Sequence, residues 1–187
     1  MLSDSRTGKI KGRQDSYNPG AFSMEVAMFQ MLEPYTVSFF GHRQIEGTIQ
    51  LEAALEQIIM HLLQEKDYVE FLLGRDGEFD QLVTSTIKRC KRVWGDHNSA
   101  LIWVLPYVTA ELRNNEEAFS RYYDEIEICE AAALGHYKSA FQKRNRSMVD
   151  RSDLVIFYVE RKSGGAYQTM EYARRKATPL INLGRLK

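Results

Sequence analysis

From Pro34 onward, short apolar runs alternate with longer segments whose hydrophobic positions recur at helical spacing. The runs lie at 36–40, 69–73, 100–105, 154–159 and 180–183. Several are apolar at successive positions, so both faces of the chain are covered there, as in a buried parallel strand. Between the first two runs, 47–65 places Leu51, Ala54, Leu55, Ile58, Ile59, Leu62 and Leu63 on one stripe. Between the next two, Phe79, Leu82, Val83, Thr86, Cys90 and Val93 form a second stripe. Strands separated by helix-length crossovers predict an α/β protein with a Rossmann-like, mainly parallel sheet and helices on both faces, in a single domain over 34–187.

The segment 107–150 is less regular. Residues 123–128 alternate acidic and apolar side chains, the pattern of a half-buried strand, and 137–150 read as a helix. On that helix Asn145 shares a face with Phe141, Met148 and Val149. A buried amide without a partner costs about 1–3 kcal/mol, so Asn145 bonds either a neighbouring loop or a ligand. Residues 1–33 form an N-terminal extension, a polar flexible arm followed by a short apolar helix. There Phe22, Val26 and Phe29 follow i, i+4, i+7 among Met24, Met28 and Met31. That stripe either docks on its own domain or makes an oligomer contact; a homodimer is expected.

Lys and Arg number 25 and Asp and Glu 25, for a net charge of +0. Neutral charge, with no basic stripe carrying interleaved aromatics, argues against nucleic acid as a partner. Cys90 and Cys129 stand far apart, and the four histidines are isolated, so no metal-ligand spacing appears and no cofactor is implied. Apolar stretches are far shorter than the roughly 20 residues of a membrane span. With two cysteines and no apolar leader, a cytoplasmic location is expected.

In a parallel α/β sheet, ligands bind beyond the carboxyl ends of the strands. The first run is followed there by Gly41-His42-Arg43, a glycine, an imidazole and a permanent cation. The second is followed by Gly74-Arg75-Asp76-Gly77-Glu78-Phe79-Asp80, which opens a helix. The run at 154–159 leads through Arg161-Lys162-Ser163-Gly164-Gly165 into another helix. Glycines before a helix N-terminus, whose first amides lack intrahelical partners, suit an anion. Neither turn matches G-x-G-x-x-G or a P-loop, which argues against a dehydrogenase or an NTPase. The basic cluster 143–146 lies just before the run at 154–159 and brings Arg144 or Arg146 within reach of the same edge. Glu171 either pairs with Arg174 or Arg175 on its own helix or faces the ligand.

These motifs resemble the SLOG superfamily, and within it a largely uncharacterised bacterial and phage branch. The resemblance runs through 37–43, 77–80, 105–107, 143–153 and 163–167 and covers about 36–184. It implies a Rossmann-like fold shared with the Lonely Guy phosphoribohydrolases, DNA-processing proteins and nucleotide-sensing domains. Against the Lonely Guy signature P-G-G-x-G-T-x-x-E, Gly164, Gly165 and Glu171 match. Ser163 replaces the proline, Tyr167 the third glycine and Gln168 the threonine. The implied function is binding of a nucleotide or nucleotide derivative, as a sensor or carrier. The alternative is an N-glycosidase (phosphoribohydrolase) acting on a nucleoside monophosphate. The implied site comprises Gly41, His42, Arg43, Gly74, Asp80, Asn145, Arg146, Ser163, Gly164, Gly165 and Glu171.

Overall fold

A computed structural model describes residues 33–133 and 136–185. The predicted arm and Met-rich helix lie outside the described residues. Strands β1 (Tyr35–Gly41), β2 (Val69–Leu73), β3 (Ser99–Leu105), β4 (Glu125–Ile128), β5 (Leu154–Tyr158) and β6 (Leu180–Asn182) form one sheet in the order β4-β3-β2-β1-β5-β6. All the pairings are parallel. Chain order runs outward from β1 to β4 and then returns to β5 on the other side of β1. The β1–β5 boundary is therefore the topological switch point.

Helices α1 (Thr48–Glu65), α2 (Glu78–Trp94), α3 (Ala110–Asn114) and α4 (Glu116–Tyr122) follow β1, β2 and β3. They cover one face of the sheet, where Val37, Phe39, Phe71 and Ile156 pack with Leu55, Ile59, Val83 and Ile87. Helices α5 (Glu130–Ala133), α6 (Tyr137–Asp150) and α7 (Gly164–Arg175) serve the other face. There Phe40, Leu72, Val155 and Phe157 meet Ala140, Met148, Met170 and Ala173. Alternate strand residues feed the two cores, which is why the strand runs are apolar at successive positions. The Rossmann-like architecture expected from the sequence is the one observed. Cys90 is buried within the α2 stripe, and Cys129 is buried on the opposite face.

Polar residues of 143–153 have structural work of their own. The Asp153 carboxylate accepts the Thr36 amide at 2.8 Å, and the Asp153 amide donates to the Thr36 carbonyl at 2.9 Å. Ser152 donates to the Met148 carbonyl and lies 2.6 Å from the buried Ser38 hydroxyl. These contacts tie the start of β5 to β1 and so set the switch point. No helix among the described residues is long and apolar enough to cross a membrane.

Candidate functional site

A cleft of about 400 Å³ opens at the carboxyl edge of the sheet. The loop after β1 contributes Gly41, His42 and Arg43, and the loop after β2 contributes Gly74, Asp76, Gly77 and Asp80. From α6 come Phe141, Arg144 and Asn145, and from the first turn of α7 come Gly164, Gly165 and Ala166. A second groove of about 370 Å³ adjoins it, sharing His42, Arg43 and Gly164 and adding Gln44, Arg161 and Ser163. Among the described residues, no carboxylate lines this groove.

The loops are held by backbone contacts. The Glu78 amide donates to the Arg43 carbonyl at 2.9 Å, and the Ile45 amide donates to the Glu78 carboxylate at 3.0 Å. Gly77 permits this approach, because a Cβ there would lie 2.6 Å from the Arg43 Cα. Gly41 is required by packing: a Cβ would lie 2.3 Å from the buried Phe79 ring. His42 bridges two loops, its Nε2 accepting from the Glu160 amide at 3.1 Å and the Arg161 amide at 3.3 Å. Burial, reinforced by the Arg161 charge and opposed by Glu160, lowers the His42 pKa. A neutral imidazole is what this acceptor role demands.

Arg144 reaches from α6 across the end of the sheet and is only 3% exposed. Nη1 donates to the Val104 carbonyl at 3.2 Å and Nη2 to Asp76 at 2.5 Å. Nε has no partner. Gly74 makes room for it, since a Cβ there would lie 2.5 Å from Nη1. Asp80, half-buried beside it, accepts the Asp76 amide at 2.9 Å. Burial pushes the Asp80 carboxyl up to about 6; the Asp76 charge adds to this, while the Asp76 amide and Arg144 oppose it.

The α7 end of the cleft is open. Ser163 makes no side-chain capping bond, so the first-turn amides of α7 have no cap from it. A Cβ at Gly164 or Gly165 would meet nothing within 4 Å, and Gly164 has φ 86°, a left-handed value that favours glycine. Asn145 resolves its sequence dilemma in part. Nδ2 donates to the Thr169 hydroxyl at 3.1 Å, which donates onward to the Gly165 carbonyl at 2.8 Å, whereas Oδ1 is unpartnered. At the α6 end, Phe141 is 39% exposed and Tyr107 37%, their rings in edge contact at 6.1 Å. The Arg144 guanidinium lies 5.6 Å from the Phe141 ring centre.

No family model matches the chain, and no curated protein matches it in sequence. Solved structures do. DNA processing protein A from Streptococcus pneumoniae matches with TM-score 0.56 and 17% identity, over 81% of this chain and 50% of that one. DNA processing protein A from Helicobacter pylori, studied for its single-stranded DNA binding mode, matches with TM-score 0.55 and 16% identity, over 80% of this chain and 65% of that one. At such identities the likeness is one of fold, and this chain spans about half to two thirds of the proteins it matches.

These matches correct the sequence-based resemblance. The structural likeness is to DNA processing protein A, not to an uncharacterised SLOG branch. Neither a nucleotide sensor or carrier nor a nucleoside-monophosphate glycosidase is supported by them. Neutral net charge does not exclude nucleic acid as a partner: DNA processing protein A from Helicobacter pylori, a protein of similar fold, binds single-stranded DNA. Cations and aromatics that share a site need not interleave along the chain. Arg43, Tyr107, Phe141, Arg144 and Arg161 are scattered in sequence but gather at one sheet edge.

Of the residues expected in the site, Gly41, His42, Arg43, Gly74, Asp80, Asn145, Gly164 and Gly165 line the cleft, and Ser163 lines the adjoining groove. Arg146 lies outside both, exposed, with its guanidinium 5.2 Å from the Tyr172 ring centre. Glu171 also lies outside, paired with Arg174 at 2.5 Å. The sequence signal for Arg144 was present. On a helix it stands about 40° from the core residue Met148, whereas Arg146 stands about 160° away.

Proposed function

We propose that the carboxyl edge of this sheet binds single-stranded DNA. The observation that carries the reading is Arg144, a buried guanidinium with a free Nε in a cleft that also holds an exposed phenylalanine and an open helix N-terminus. Phosphates suit the groove of Arg43 and Arg161 and the amides of Gly164, Gly165 and Ala166, where the α7 dipole adds to the side-chain charge. Phe141 and Tyr107 offer π-faces on which any base can stack, a mode open only to unpaired strands. Asn145 Oδ1 supplies a hydrogen-bond acceptor beside them. His42, Gly41 and Gly74 position this set. The likeness to DNA processing protein A supports the assignment. The cytoplasm is the compartment this reading implies, in keeping with two buried free thiols.

The test is fluorescence anisotropy with a labelled oligothymidylate and with its duplex. Saturable binding of the single strand, weaker binding of the duplex, and loss of single-strand binding in Gly165→Val are expected. Gly165 has open space above it, so valine obstructs the amides without disturbing the core. Absence of single-strand binding by the wild-type chain, or equal affinity for the duplex, refutes the reading.

A further inference from the structure

Strand β4 ends the sheet, and among the described residues it pairs with β3 alone. Its outer edge therefore carries unpaired backbone N–H and C=O groups at alternate positions. Along it the side chains alternate, Glu125 and Glu127 toward one face and Ile126 and Ile128 toward the other. On the isoleucine side, a groove of about 500 Å³ runs between β4 and the α3–α4 pair. Val108, Leu112, Ile126 and Ile128 form its apolar part, at a rim that also carries Arg113, Glu116 and Glu125, and Val108 is 44% exposed. On the other side, Glu70 of β2 faces the same direction as Glu125 and Glu127 and interacts with both. Arg151, bonded to Glu127 at 2.6 Å, also acts on Glu70, and this one cation against three carboxylates leaves the band an acidic excess.

We infer that the β4 edge docks an extended segment of a partner protein in which basic and apolar residues alternate. Backbone groups of such a segment would continue the sheet. Its apolar side chains would enter the α3–α4 groove, and its Lys or Arg side chains would lie over the acidic band. Strand addition of this kind takes affinity from the main-chain bonds and specificity from alternate side chains. The charges argue against a second copy as occupant. Two β4 edges paired about a two-fold axis would set glutamates of one copy against glutamates of the other, and like charges directly opposite are destabilising.

A fluorescein-labelled peptide of alternating lysine and valine tests this with the full chain. Control peptides carry glutamate in place of lysine, or a central proline that breaks strand pairing. The lysine–valine peptide is expected to bind saturably and the controls poorly, with amide NMR shifts concentrated at 125–128. Glu125→Lys with Glu127→Lys should weaken lysine–valine binding about tenfold and let the glutamate–valine peptide bind. Glu125→Lys alone, at an exposed position, should show half of that effect on a logarithmic scale. The inference is overturned by absent binding or by equal binding of the proline-interrupted peptide. Unmoved amides at 125–128, an affinity indifferent to both variants, or a dimer whose contact maps to β4 also overturn it.

Discussion

Replacing Arg43 with alanine removes a charge from the groove while leaving the loop in place. The backbone at 43 is fixed by the Glu78 amide and by the close packing of Gly77, neither of which involves the guanidinium. Stability should therefore change by no more than about 0.5 kcal/mol, as at other surface sites. Binding should change in a way peculiar to a phosphate contact. On single strands each neutralised phosphate contributes about −0.7 to the slope of log affinity against log salt. Between about 50 and 200 mM NaCl, one contact then accounts for about 0.4 log units, or roughly 2.6-fold. Arg43 and Arg161 together supply a slope of about −1.4, equivalent to roughly sevenfold over that range. Arg43→Ala should bind more weakly at low salt with a slope shallower by about 0.7, and the double variant should lose about 1.4. Both curves should converge on wild type as salt rises. Anisotropy titrations of labelled oligothymidylate over a salt series measure this directly. A slope for Arg43→Ala parallel to that of wild type would show that Arg43 touches no phosphate, and the groove would be assigned wrongly.

Three further outcomes follow from the same geometry. Phe141→Ala should weaken oligothymidylate binding roughly 5- to 150-fold, the range of one lost stacking contact, without altering the salt slope; a changed slope would place Phe141 off the base track. Gly41→Ala forces a methyl into the Phe79 ring and should cost about 1–3 kcal/mol in urea unfolding; unchanged stability would contradict the packing described here. Asp80 holds its proton more tightly in the folded chain, at about 6, than an ordinary aspartate does near 3.8. Its stabilising contribution is thus full below about pH 4 and is lost as pH rises through about 6, by roughly 3 kcal/mol in all. Asp80→Asn should accordingly be more stable than wild type at pH 7.5, with the gap closing toward pH 4 in paired denaturation curves.

The strands buried on both faces were the most legible part of the chain. β5 stands out because every position packs into one core or the other, β2 because all but Glu70 do, and β1 because only its two end residues are less than fully covered. Helices α3 and α4 escaped notice for the opposite reason. Five and seven residues long, they are too short to display a hydrophobic period, and α3 relies on a local bond from the Leu112 amide to the Thr109 hydroxyl. The site was legible where loop chemistry is local, as in Gly164-Gly165 before a helix. Where a side chain crosses the sheet it was harder to see. Arg144 earns its place by meeting the Val104 carbonyl and Asp76, residues 40 and 68 positions away. Gly74 likewise looks like a turn residue until the Arg144 guanidinium is found in the space it leaves.

The charge balance, which first argued against a polyanionic partner, acquires a different meaning once the charges are located. Net charge governs long-range attraction, which is screened beyond about 10 Å at moderate salt, whereas a groove acts over a few ångströms. Arg43 and Arg161 line a groove without carboxylates among the described residues, while Asp76, bonded to Arg144, and Asp80 sit in the cleft beside it. On the proposed reading, Arg43 and Arg161 are the groove cations that meet a strand's phosphates. Few phosphates are then neutralised, so most of the affinity must come from stacking on Phe141 and Tyr107 and from the α7 amides. That division predicts a binder with a shallow salt dependence, unlike a basic domain that gains its affinity by releasing many counterions. It also gives Asp80 a role beyond stability. Its ionisation above pH 6 adds a negative charge beside Arg144, so single-strand binding should strengthen as the pH is lowered through 6 and should lose that dependence in Asp80→Asn.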